Sequence, residues 1–146
     1  MLDDELKNLR RVVANGGTAS EIDDALLPLI ARSDTSIIAP ILVLLNESGD
    51  QDGMWSILHT AESFDGPVYR AGLLTALPVL AQSCRWWATT LMIRVLNSDT
   101  DHAELTAQLR DASLPTKKAV ATICEQLSKD ARFQAKAAAV LAAAKA

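Results

Sequence analysis

Met54–Ser98 reads MWSILHTAESFDGPVYRAGLLTALPVLAQSCRWWATTLMIRVLNS. It holds all three tryptophans, the only tyrosine, one of the two histidines and one of the two phenylalanines. Its apolar residues recur at three- and four-residue intervals, which predicts three consecutive helices joined by short turns. The first, about 53–63, carries Met54, Ile57, Leu58 and Ala61 on one face and Trp55, His59 and Glu62 on the next. The second, about 67–82, starts at Pro67 after the turn Asp65-Gly66 and buries Leu73, Leu74, Leu77 and Leu80, with Tyr69 one turn before Leu73. The third, about 84–97, takes Ser83 as its N-cap and turns Trp87, Ala88, Leu91, Met92 and Val95 inward. Trp87 belongs to the core, whereas Trp55 and Trp86 stand at the edges of their stripes.

The same period continues in both directions. Leu2, Leu6, Leu9, Val12 and Val13 predict a helix over 3–14, stopped by Asn15-Gly16-Gly17 because glycine accepts the left-handed backbone of a helix end. Thr18-x-x-Glu21 is a capping box that opens a helix over 19–32, with Ile22, Leu26, Leu29 and Ile30 as its apolar face and Pro28 as a kink inside it. A helix over 36–46 follows, then a polar turn, Asp50-Gln51-Asp52-Gly53. Downstream, Asp101-x-x-Glu104 opens a helix over 100–112, and Pro115 starts another over 115–128. The alanine-rich tail, about 130–144, is helical on propensity alone; it is expected to cap the domain and to fray at its end. No period-two segment of useful length occurs, so the class is all-α.

Leu27-Pro28-Leu29-Ile30-Ala31-Arg32-Ser33 matches Leu77-Pro78-Val79-Leu80-Ala81-Gln82-Ser83 fifty residues later. Ile41-Leu42-Val43 lies opposite Leu91-Met92-Ile93, and Leu45-Asn46 answers Leu96-Asn97 after a slip of one. The expectation is a single HEAT/armadillo-like domain of about nine helices in three units, about 1–49, 50–98 and 99–146, the last degenerate. Such folds mostly bind macromolecules.

Composition agrees. Of 146 residues 49% are apolar but only 4% aromatic, so the core is built of Leu, Ile, Val and Ala, which suits helix-on-helix packing. The N-terminus MLDDELKNLRR has no apolar leader, the longest apolar run is too short for a bilayer, and two cysteines make no disulfide framework, so a soluble cytosolic protein is expected. The net charge of −4 divides unevenly: residues 1–65 carry 12 Asp/Glu against 4 Lys/Arg, and residues 66–146 carry 6 against 10. No overall basic excess is present for nucleic acid. An acidic half suits a basic protein partner, although a merely solvated acidic surface would look the same.

Sites of chemistry are not found. His59 and His102 lack metal-ligand spacing, and His59 beside Glu62 is a helix-surface pair. Cys84, beside Arg85 at a helix start, has no positioned base and reads as a small half-buried residue. Walker, dinucleotide and Gly-x-Ser-x-Gly patterns are missing. No catalytic residue, cofactor or metal is assigned, and enzyme function is not expected.

Trp55-x-x-Leu58-His59-x-x-Glu62, Tyr69, Leu77-Pro78-x-Leu80, Trp87-Ala88 and Arg94-x-Leu96-Asn97 together resemble the immunity protein 30 group. The resemblance covers about 54–98. It implies a small cytosolic antidote of bacterial polymorphic-toxin and contact-dependent inhibition systems, without enzyme activity, that blocks a nuclease or other toxic domain by tight direct binding. The residues expected to meet that toxin are Asp23, Asp24, Glu62 and Asp65 through charge, with Tyr69 and Trp86 as aromatic anchors. Neither nucleic acid nor membrane is expected as a partner. The alternative is a general helical-repeat adaptor of a cellular complex.

Overall fold

The chain is all-α. A computed structural model describes residues 1–146 as α1 (Leu2–Ala14), α2 (Ala19–Arg32), a 3-10 turn (Thr35–Ile37), α3 (Ile38–Leu42), α4 (Gln51–Glu62), α5 (Gly66–Ser83), α6 (Arg85–Leu96), α7 (Asp99–Leu109), α8 (Leu114–Leu127) and α9 (Gln134–Lys145). No helix is long and apolar enough to cross a membrane. The chain divides into two compact units, Met1–Ala76 and Leu77–Ala146, and the division falls within α5.

In the first unit α1 packs on α2, and α2 on α4. Gly16, at φ +71°, ends α1, and its N–H and that of Gly17 return to the Val13 and Val12 carbonyls. Thr18 caps α2 reciprocally: its hydroxyl accepts from the Glu21 N–H at 3.2 Å, and the Glu21 carboxylate accepts from the Thr18 N–H at 3.0 Å. Asp50-Gln51-Asp52-Gly53 is not a turn. Asp50 caps α4, its carboxylate accepting from the Gly53 N–H at 3.0 Å, so the helix begins two residues earlier than expected. Gly53 then faces α2, where a Cβ would run into the Ile22 side chain. The third predicted helix is reduced to a 3-10 turn and five α-residues, with Pro40 in the short α3 and Asn46 bonding back to the Leu44 carbonyl.

In the second unit α8 packs on α9, α7 on α9 and α6 on α7. Two expected caps move. Cys84, not Ser83, precedes α6, and α7 is capped by Ser98, whose hydroxyl accepts from the Asp101 N–H at 3.3 Å. The tail is docked: Ala137, Val140, Ala143 and Ala144 are buried. Lys136 donates to the Leu96 carbonyl at 2.9 Å and to Asp99 at 2.8 Å. His102 Nε2–H donates to the Lys136 carbonyl at 3.1 Å, which fixes the tautomer, since a carbonyl only accepts.

Nine α-helices form, but a three-helix repeat is not evident in what they bury. Pro28 and Pro78 both lie inside helices. Around them Leu27 is exposed where Leu77 is buried, Leu29 is buried where Val79 is exposed, and Ile30 is exposed where Leu80 is buried. The matched segments therefore turn different sides inward.

Candidate functional site

Ile22, Ala25, Leu26 and Leu29 fix which side of α2 is buried. Asp23, Leu27 and Ile30, at i, i+4 and i+7, form a stripe along its exposed side, with Asp24 beside it. Leu27 is 61% and Ile30 48% exposed. Ile30 thus leaves the apolar face expected of it: it stands on the shoulder of that face in the last turn. Pro28 has no N–H to give to the Asp24 carbonyl, so the exposed side gains an acceptor near its carboxylates.

The stripe runs into a cavity of about 380 Å³ lined by Ile30, Ser33, Thr35, Thr60, Ser63, Phe64, Asp65 and Val68. Ser33 closes α2 in the left-handed conformation at φ 51°, and Ser63 follows the end of α4. The hydroxyl protons are largely committed. Thr60 donates to the Ser56 carbonyl at 2.8 Å, Ser63 to the Thr60 carbonyl at 2.6 Å, and Ser33 more loosely to the Ile30 carbonyl at 3.4 Å. Their oxygens keep lone pairs, so these three groups offer acceptors rather than donors.

Of the six residues expected to meet a partner, Asp23, Asp24 and Asp65 are exposed in the first unit, and the cavity joins Ile30 of the α2 stripe to Asp65. Glu62 is half-buried and engaged within the chain. Tyr69 is only 8% exposed, so it cannot offer its ring to a partner; its place one turn before Leu73 carries it inward with that residue. Trp86, in the second unit, is 47% exposed and meets Trp87 edge to face at 4.9 Å. That unit has its own cavity of about 380 Å³ between α5 and α8, with Pro78, Ala81, Arg85, Leu114 and Lys118 in its lining.

Charge follows the same division. Residues 1–76 hold 12 Asp/Glu against 5 Lys/Arg, net −7, and residues 77–146 hold 6 against 9, net +3. Arg32, the cation of α2, is held by the Glu5 carboxylate through Nε and, at 3.0 Å, through Nη2. The histidines are taken up locally: His59 lies against Trp55 with ring centroids 5.9 Å apart, and His102 on the α9 backbone. No three His, Cys, Asp or Glu side chains are placed to hold a metal ion. Both cysteines are buried and free, and burial pushes the Cys124 thiol up to about 12.

Leu27 and Ile30 were not singled out from the sequence, yet the signal for Leu27 was there. A buried side centred on Ile22, Ala25, Leu26 and Leu29 leaves Leu27 pointing away. The cavity had no such signal, because its serines and threonines are indistinguishable from ordinary helix-end residues.

Residues 9–105 match the model of the family described as Immunity protein 30. No curated protein and no solved structure matches the chain.

Proposed function

The chain belongs to the immunity protein 30 family, and from that premise we propose that the outer face of α2 and the adjoining cavity are where it grips its toxin. The chain is an immunity protein, not an enzyme, and it neutralises a cognate toxin by binding it. The observation that carries the choice of face is the exposure of Leu27 and Ile30 among Asp23, Asp24 and Asp65. Exposed apolar anchors with a charged surround have the anatomy of a protein interface. A net charge of −7 over residues 1–76 supports a toxin with a basic surface, such as a nuclease presents to phosphates. Trp86 is held as a separate anchor on the second unit. Two free, buried thiols support action in the reducing cytoplasm.

The test is protection. The cognate toxin domain is expressed in a sensitive cell with the wild-type chain or with Leu27→Arg/Ile30→Arg. Wild type restores growth and forms a one-to-one complex with the purified toxin. The double variant folds and does not protect. Full protection by that variant removes the α2 face from the interface.

A further inference from the structure

The geometry points to the cavity among Ile30, Ser33, Thr60, Ser63, Phe64 and Asp65 as a receptor for one arginine side chain of the toxin. This rests on the proposal that the α2 face meets the toxin.

Three features select the occupant. Thr60, Ser63 and Ser33 have their protons on helix carbonyls and present oxygen lone pairs, which suits a group that only donates. Asp65, exposed at the edge, supplies a full negative charge. The C-terminal ends of α2 and α4 both stand in the wall and add partial negative charge. The start of α5 has the opposite polarity. Asp65 is the residue before it, and its carbonyl accepts the first α5 bond from the Tyr69 N–H at 2.9 Å.

No cation of the chain lines the cavity. Arg32 is held by Glu5. Arg70 is buried, and its guanidinium lies against Gly66 rather than in the lining, since Arg70 leaves α5 about 200° around the helix from the lining residue Val68. A guanidinium fits better than an ammonium. Its five donors reach acceptors on several sides, and its flat faces and methylene stem match the apolar Ile30, Phe64 and Val68.

The experiment is an NMR titration of the isotopically labelled full chain with Nα-acetyl-arginine amide. Its neutral isostere Nα-acetyl-citrulline amide serves as control, and Asp65→Asn as the variant. The expected result is saturable shifts centred on Ser33, Thr35, Ser63 and Val68, at least about tenfold weaker with citrulline and in Asp65→Asn. An unchanged spectrum away from the cavity shows that the variant is folded. Equal shifts from both probes, no saturable shift at these amides, or full arginine binding by Asp65→Asn overturns the proposal. The titration needs no toxin. Its failure is thereby separate from failure of the α2 interface, which the protection assay reads through Leu27 and Ile30.

Discussion

Ile30, in the last turn of α2, and Asp65, just before α5, line one cavity. An exposed apolar side chain from a helix and an exposed carboxylate from the link between two later helices are thus brought to the same place. The structural consequence is a surface on the first unit in which apolar and acidic groups alternate. Its first test is to remove the apolar part alone. Leu27→Ser/Ile30→Ser is expected to lower affinity for the cognate toxin at least about tenfold, as truncation of interface anchors does. Stability should move by less than about 1 kcal/mol, because both side chains are exposed. Calorimetric titration with toxin and thermal melts check the two halves separately. A variant that melts early and binds normally would show these residues to be structural.

Reversal of charge separates Asp65 from Glu62, three residues earlier. Asp65→Lys is expected to slow toxin association and weaken its salt dependence, with only the small fall in melting temperature that a cation at the start of α5 brings. Glu62→Lys is expected to lower the melting temperature more, because Glu62 is half-buried and engaged within the chain. Stopped-flow association at low and high salt, beside melts of both variants, decides it. Equal association by Asp65→Lys would exclude this edge from the encounter.

Gly53 gives a prediction about the fold. Asp50 starts α4 early enough to place Gly53 inside the helix and against α2, where a side chain would strike Ile22. Gly53→Val is therefore expected to destabilise the chain by about 1–3 kcal/mol in urea denaturation, the usual effect of overpacking a close helix contact. The gain in helix propensity from replacing glycine acts in the opposite direction and is under about 1 kcal/mol. A neutral outcome would mean that α2 and α4 have room to separate.

What the sequence made legible divides along physical lines. Some local signals held: the capping box at Thr18 and Glu21 set α2 at Ala19–Arg32, and period alone placed Trp87 and Leu91 in the core. Signals that depend on distant packing did not. Leu27-Pro28-Leu29-Ile30 and Leu77-Pro78-Val79-Leu80 look alike as strings, but neighbours choose which side of each helix is covered, and they choose differently. Trp86 shows the same limit, since an aromatic at the edge of a stripe becomes core or anchor according to what packs over it. Ser98 displaced the Asp101-Glu104 box because a hydroxyl one turn earlier captured the Asp101 amide. The cavity was invisible, because it exists only where two helix ends meet.

Acid should loosen the chain, the first unit through three carboxylates. The hydrogen bond from Arg32 holds Glu5 below its ordinary range, the Thr18 amide does the same for Glu21, and the Ser36 hydroxyl for Asp34. For carboxylates lowered in the folded state, the stability they contribute is complete above the unfolded value and is lost as pH falls through the folded one. Stability is therefore expected to be flat from neutral pH to about 5, and to fall below about pH 4. Urea midpoints across that range measure it. Glu21→Gln/Glu5→Gln should flatten the acid limb, and an identical limb in that variant would assign the fall to other groups.

Lys136 anchors the tail in a way that separates helicity from docking. Alanine makes α9 helical whether or not it packs, so helix content alone says little about its attachment. Lys136 ties it to the end of α6 through the Leu96 carbonyl and to the start of α7 through Asp99. Lys136→Met keeps the length and apolar stem of the side chain and removes the donors. Loss of the bond to Leu96 should cost about 1 kcal/mol, which raises hydrogen exchange in α9 roughly fivefold. Ellipticity should hardly change. Asp99 supplies a second readout: Lys136 holds its carboxyl below the usual range, so the variant should let it titrate at higher pH. Unchanged exchange with a raised Asp99 pKa would mean that the buried Ala137, Val140, Ala143 and Ala144 suffice to dock α9. Unchanged exchange with an unchanged Asp99 would mean that Lys136 makes neither contact in solution.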